Sequence, residues 1–301
     1  MLKQFTRYSS TFIHGAKYTP EFKVYAYNAN NGPNDKIISF FHDIPVNFNR
    51  DTGTVDMIVE IPRYEQGKFE IAKDLPLNPI VQDVKKGDLR FINNIYPFHG
   101  YPCNYGAIPQ TWEDPSLKVT LENDSYFGDN DPLDVCEIGS TTSISKLGDI
   151  KKVKILGCIA MIDDGELDWK IISIDVNDKL ASKINDVVDV EIHLPHVLSN
   201  LKTWFKNYKL PMGKPENKFA FNGEWRDKSK ALSVIEECNE RWKSLVAGKS
   251  SGKGLPIVAN NTLKGTPGYH TISVPSPETQ PTPKIAADIP LKASEIFYYK
   301  N

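Results

Sequence analysis

The sequence predicts a mainly β (α+β) chain: a small closed β-barrel with additional strands and two packing α-helices. Three observations lead there. Period-two alternation of apolar and polar residues recurs through the first two thirds of the chain. Clusters of Gly, Pro and Asn separate those runs. Period 3.6 emerges only late, in two segments.

Taken in order, FKVYAY (22–27), TVDMIVEI (54–61), GKFEIAK (67–73), GDLRFI (87–92) and DWKIISIDV (168–176) alternate and read as half-buried strands. The eight-residue run ILGCIAMI (155–162) reads as a buried strand, since a membrane helix needs about 20 apolar residues. In HVLSNLKTWFKNYK (196–209), Val197, Leu201, Trp204 and Tyr208 recur at helical spacing. Ala231, Ile235, Cys238, Trp242 and Leu245 do the same within 226–249, where Gly248 is a stop signal.

The ends differ from the middle, and three units are expected: a mitochondrial presequence over 1–20, a central domain over 21–250 and a proline-rich extension over 251–301. Residues 1–20 hold Lys3, Arg7, Lys17 and five serines and threonines but no acid, with Leu2, Phe5, Phe12 and Ile13 at roughly helical spacing. Residues 266–290 carry six prolines and should be extended chain, draped over the domain or disordered. IFYY (296–299) offers an aromatic anchor.

Composition narrows the function. The apolar content of 40% suffices for a sizeable core, and the net charge of −2 points to neither nucleic acid nor an anionic membrane. Cys103, Cys136, Cys158 and Cys238 show no CxxC spacing, which suits buried thiols in a reducing compartment. HLPH (193–196) breaks helical zinc spacing with its proline, and Trp112, Trp204 and Trp242 read as core.

The informative stretch is GDNDPLDVCEIG (128–139), where Asp129, Asp131, Asp134 and Glu137 fall within nine positions. An EF-hand loop starting at Asp129 would need Gly where Asp134 stands and Glu where Ser140 stands. No Walker A loop exists. A surface acidic patch would not call for the rigid kink of Pro132. Hard divalent cations answer the charge better, because Mg²⁺ prefers carboxylate oxygens. DDGELDWK (163–170) adds Asp163 and Asp168. Lys68 beside Glu70, and Lys170 beside Asp168, share strand faces, which read as solvated ion pairs unless they look onto the cluster. Carboxylates with Lys68, Arg90, Lys170 and Lys209 in one fold suggest a phosphate substrate.

The blocks EIPR (60–63), GKFEI (67–71), LRF (89–91), HGYPCNYGAIPQTWEDP (99–115), GDNDPLDVCEIG, DDGELDWK and YKLPMGKPENKFAF (208–221) resemble the soluble (family I) inorganic pyrophosphatases, from about residue 20 to 250. The C-terminal extension resembles the eukaryotic type and the presequence its mitochondrial member. The resemblance implies an OB-like five-stranded barrel and Mg²⁺-dependent hydrolysis of diphosphate to two phosphates. It implies roughly three to four Mg²⁺ ions per site, with Mn²⁺ or Zn²⁺ as substitutes. Asp129, Asp134 and Asp168 would hold the first ion, with Asp134 reaching a second. Asp163 and Asp168 would hold a third, and Glu70 a fourth through waters. Asp131 would lie beside the attacking water. Lys68, Arg90, Lys170, Tyr208 and Lys209 would bind phosphoryl groups, and Tyr105 and Glu60 would line the cavity. No expected acid, base or tyrosine is missing. A homodimer through Arg63, Tyr64 and His99 is implied, although the family often has Trp where Tyr64 stands. Mitochondrial residence (matrix side) is expected, with the cytoplasm as alternative, and no integral membrane segment. Two other readings are a catalytically silent scaffold of this fold and an OB-type nucleic-acid-binding module. The absence of a basic–aromatic stripe disfavours the second.

Overall fold

The computed structural model of the protein describes residues 10–28, 37–140, 145–250, 254–272, 274 and 284–299. In chain order run strands β1 (Ser10–His14), β2 (Lys23–Tyr27), β3 (Thr54–Ile61), β4 (Phe69–Ile71), β5 (Ile80–Gln82), β6 (Asn104–Ala107), β7 (Asp134–Glu137), β8 (Ile150–Asp163), β9 (Glu166–Asp175) and β10 (Lys218–Phe219). The main helices are α1 (Val187–His193), α2 (Val197–Asn207) and α3 (Lys228–Val246). Several two- to four-residue elements complete the chain.

The long hairpin β8–β9 is the spine. Its turn places Asp164 and Gly165 at positive φ, the conformation a tight two-residue hairpin requires. β8 pairs antiparallel with β3, β3 with β6, and β6 with β7. β7 then runs parallel to β9, with Asp134 opposite Lys170. The chain of pairings therefore returns to the hairpin it started from. Gly106 is required where β6 crosses β3: a Cβ there would lie 1.8 Å from the Ile58 carbonyl oxygen. A second sheet runs in the order β1-β2-β5-β4.

Alternation along β9 sorts its residues as the period-two pattern predicts. Leu167, Trp169 and Ile171 join an apolar cluster with Val135, Ile155 and Ala231, Ile235 and Cys238 of α3. On the opposite face Ile172 and Ile174 join a second cluster with Ile58, Cys136 and Leu201 and Trp204 of α2. Each fully buried aliphatic side chain contributes about 1.5–3 kcal/mol. Asp168 and Lys170 share that second face, so it is polar at one end and apolar beyond. The four cysteines are buried, as are Trp112, Trp204 and Trp242.

The architecture is thus mainly β with few helices, though the helices number more than the two expected. α1, in a stretch rich in β-branched residues, gives little helical signal. Its start is fixed by Asp186, whose carboxylate accepts from Val187 N at 2.7 Å and Lys228 N at 3.1 Å. The strand expected over 87–92 shrinks to Asp88–Leu89, because Arg90 turns back to pair with Asp83 and Lys68. β6 and β7 escape a periodicity search, the first being too short and the second acid-rich.

Both ends fold onto the domain where they are described. Residues 1–9 and most of the proline-rich stretch (273 and 275–283) lie outside the described residues. Residues 10–14 are extended rather than helical, paired with β2 along their length. Lys17 pairs with Glu65, and Tyr18 donates to the same carboxylate. Downstream, the buried Asp43 carboxylate accepts from Asn261 N at 3.0 Å, Thr262 N at 2.8 Å and Thr262 Oγ1 at 2.6 Å. Ile296–Phe297 pairs in parallel with Asn94–Ile95, and Tyr298 stacks on Tyr96.

His42 couples this clasp to the core. Trp242 Nε1 donates to His42 Nδ1 at 2.9 Å, so Nε2 carries the proton and donates to the Ile257 carbonyl at 3.1 Å. Burial pushes the imidazole pKa from 6.5 down to about 4. The unfolded chain takes up a proton below pH 6.5 while the folded chain does not. Stability from neutral His42 is therefore complete above 6.5 and lost as the pH falls toward 4. The loss should reach about 3 kcal/mol by pH 4. Urea unfolding of wild type and His42→Gln across pH 4–7 checks this: the variant should lack this component of the slope.

Candidate active site

One cavity of 340 Å³ collects every site residue named from the sequence: Glu60, Lys68, Glu70, Arg90, Tyr105, Asp129, Asp131, Asp134, Asp163, Asp168, Lys170, Tyr208 and Lys209. It opens where the polar end of β9 meets β7. The parallel register sets Asp134 beside Lys170, and the buried Lys170 ammonium pairs with Asp134 and, at 2.5 Å, with Asp168. Tyr105, on β6, donates to Asp134 and lies 2.9 Å from Lys170 Nζ.

The loop before β7 is shaped locally. Asn130 has φ 71°, a left-handed value that Asn tolerates better than most residues. The Asp129 carboxylate accepts from Asp131 N at 3.0 Å, closing an Asx turn that aims both aspartates inward. Pro132 fixes the exit.

Three more walls converge. The β8–β9 turn presents Asp163, which pairs with Lys209 and accepts from Tyr208 Oη at 3.4 Å at the end of α2. On the β4 side Lys68 pairs with Glu70, and Asp83 bridges Lys68 (3.4 Å) and Arg90. Glu60, buried at the floor, accepts from Ile71 N at 2.7 Å.

Carboxylates crowd one another here. Burial, then Asp134, pushes Glu60 well above the usual carboxylate range; burial, then Asp131 and Asp168, does the same to Asp129. Asp131 is raised to about 6 and Asp168 to about 7, with burial the main cause in both. For Lys170, burial opposes the charge, but Asp134 and Asp168 outweigh it and the pKa rises.

Sequence reasoning missed four lining or flanking residues. Lys73 pairs with Asp131 at 2.8 Å but ends the alternating run in phase with the apolar Phe69 and Ile71. Asp83 orients two cations but stands alone in the sequence. Tyr101 packs against Tyr105 with ring centroids 5.2 Å apart. Glu113 brings a buried carboxylate to within 4.8 Å of oxygens of Asp129 and Asp168. Tyr101 and Glu113 lie within the block 99–115 quoted for the resemblance, but none of the four has a periodic signal that singles it out.

The donor set fits a hard divalent cation: it is all oxygen, mostly anionic, and includes Glu113 Oε2, which is buried with no hydrogen-bond partner. His193 and His196 are both exposed, away from this cluster. Carboxylates interleaved with Lys68, Arg90, Lys170 and Lys209 around one cavity are the arrangement of a metal-dependent hydrolase acting on phosphoryl groups.

Comparison with known proteins narrows that class. The family model described as Inorganic pyrophosphatase matches residues 57–243. The chain is 53% identical over 267 residues to the inorganic pyrophosphatase of Yarrowia lipolytica, covering 88% of this chain and 89% of that protein. It is 48% identical over 283 residues to the mitochondrial inorganic pyrophosphatase of Saccharomyces cerevisiae, covering 93% of this chain and 88% of that one. The structure of inorganic pyrophosphatase from Schistosoma japonicum superposes with TM-score 0.86 at 37% identity, covering 96% of this chain and all of the other. The chain belongs to the inorganic pyrophosphatase family. It is an inorganic diphosphatase, and a divalent metal is its cofactor.

The raised pKa of Asp168 has a measurable sign. Unfolded, this carboxyl ionises near 3.8; folded without metal, it holds its proton to about 7. Its contribution to stability is therefore present at low pH and lost as the pH rises from about 4 to 7. In EDTA, Asp168→Asn should gain stability relative to wild type across that window, read as a growing difference in urea midpoint. A difference that stays flat with pH contradicts the assignment.

Proposed function

We propose that the cavity hydrolyses diphosphate with water activated between bound Mg²⁺ ions, and that the thirteen residues above divide the work as the family resemblance implies. Diphosphate and water yield two phosphates, with the proton of the attacking water passing to a base. The observation that carries this reading is the convergence of Asp129, Asp134 and Asp168 on the face that Lys170 and Tyr105 complete.

Bound Mg²⁺ would lower the pKa of water and neutralise phosphoryl charge. Asp129, Asp134 and Asp168 would hold the first ion, Asp134 a second, Asp163 and Asp168 a third, and Glu70 a fourth through water. Asp131 accepts or orients the proton of the nucleophile, and Lys73 at 2.8 Å steadies its carboxylate. Arg90 clamps two phosphoryl oxygens through its planar fork, with Asp83 fixing its orientation. Lys68, Lys170, Tyr208 and Lys209 supply the remaining donors on the substrate, and Glu60 and Tyr105 shape the floor. The same donors stabilise charge developing on the leaving phosphate.

Several finer features belong to this reading. The circuit of five strand pairings supports a closed OB-like barrel. The domain spans about 21–250, with the C-terminal extension serving as a strap. Tyr64 and His99 are exposed beside an apolar groove with Pro97, Phe98 and Leu201, which supports a homodimer through that face. The relative in Saccharomyces cerevisiae named mitochondrial supports matrix residence. A removable leader would end before Ser10, since a cut at residue 20 would strip β1 from β2. A fusion of residues 1–20 to a fluorescent reporter, imaged in cells, tests the targeting.

Phosphate release from diphosphate, with and without Mg²⁺, is the direct assay. Asp131→Asn should lose roughly 10²–10⁴-fold in kcat while keeping its metal affinity. Asp134→Asn should lose both. Equal loss of metal binding in the two variants, measured by calorimetry, contradicts the division of roles.

A further inference from the structure

We propose that Glu113 is a further ligand to the divalent cation held by Asp129 and Asp168, directly or through one water. This rests on the reading of Asp129 and Asp168 as metal ligands. Oxygens of the three carboxylates lie within 4.8 Å of one another. Two oxygens on opposite sides of one Mg²⁺ stand about 4.2 Å apart, and a bridging water or a larger ion extends that reach.

The second observation is the state of the Glu113 side chain. It is only 2% exposed. Oε1 accepts from Trp169 N at 3.3 Å, while Oε2 is buried with no hydrogen-bond partner among the described residues. A buried carboxylate oxygen left bare is costly, and one facing two further aspartates more so. A neutral acid sharing its proton with a neighbour would have an Oε2 partner. A cation between the three carboxylates answers all three charges together.

Glu113 is also held in place, as a ligand must be. Its backbone N–H donates to the Asp131 carbonyl at 2.9 Å, and its carbonyl accepts from Asn130 N at 3.0 Å. The preceding Trp112 is fully buried and donates from Nε1 to Asn130 Oδ1 at 2.8 Å. The loop approaches so closely that a Cβ on Gly128 would lie 2.4 Å from the Glu113 carbonyl oxygen. The segment carrying Glu113 and the loop carrying Asp129 and Asp131 are thus joined through their backbones, and burial and the Trp169 N–H hold the carboxylate itself in place.

The test is Mn²⁺ binding to the full chain, by calorimetry and electron paramagnetic resonance, for wild type, Glu113→Gln and Asp129→Asn. Gln keeps the volume and still accepts from Trp169 N. Glu113→Gln should weaken the tightest Mn²⁺ site by at least about tenfold, with no drop in metal-free melting temperature. If Asp129→Asn weakens that site and Glu113→Gln stays within twofold, the inference about Glu113 fails alone. If both stay within twofold, the metal-ligand reading fails and takes the inference with it. Should Glu113→Gln not fold, an anomalous difference map of Mn²⁺-soaked wild-type crystals decides the matter. A peak bonded to a Glu113 oxygen, or to a water it holds, supports the assignment; peaks reached only by other residues overturn it.

Discussion

Mutual repulsion among carboxylates gathered at one end of a closed set of strand pairings is the constraint from which the rest of this molecule follows. Glu60, Glu113, Asp129, Asp131 and Asp168 are held where burial and like charge both disfavour ionisation. Left to itself such a cluster would spread apart. It is kept together by backbone pairing: β7 on β9, Glu113 on the loop at 129–131, and the Asx turn within that loop. Fold stability is thus invested in a charge arrangement that favours cations, which is how a protein pre-organises a metal site.

The basic residues are tied as firmly as the acids. Lys170 pairs with Asp134 and Asp168, Lys209 with Asp163, Lys73 with Asp131, and Arg90 and Lys68 with Asp83. No wall of the cavity presents one sign alone. Such pairing lets the site carry many charges in a small volume while the chain's net charge stays near zero. It also fixes side-chain directions before any substrate arrives, so less freedom is lost on binding. Behind this polar end the same faces turn apolar, with Ile172, Ile174, Leu201 and Trp204 packed as core.

Much of the site was legible because its residues come in short dense blocks. The acids at 129–134 sit in one loop and the start of the strand after it, those at 163–168 flank one hairpin turn, and alternation put Asp168 and Lys170 together. The residues that escaped, Lys73, Asp83, Tyr101 and Glu113, line or flank the cavity from loops or strand ends, where no period constrains them. The fold shows the same division. β3, β9, α2 and α3 follow their periodicities and β8 its apolar run, whereas α1, β6 and β7 take their conformations from partners. Residues 10–14 are a clear case: their apolar spacing looks helical, yet an available strand edge at β2 makes them extended.

The sequence by itself determined the period of the major elements, the oxygen-rich chemistry of the cluster and the family to which these blocks belong, because each is written in residues adjacent along the chain. Only the tertiary structure decided which acids share a cavity, that Glu113 stands among them, and that the C-terminal segment clasps Asp43 and His42. Those outcomes depend on hydrogen-bond registers between segments up to about two hundred residues apart, such as Asn261 on Asp43. Local pattern carries no term for such registers; they are set by the mutual fit of surfaces that exist only once the chain has folded.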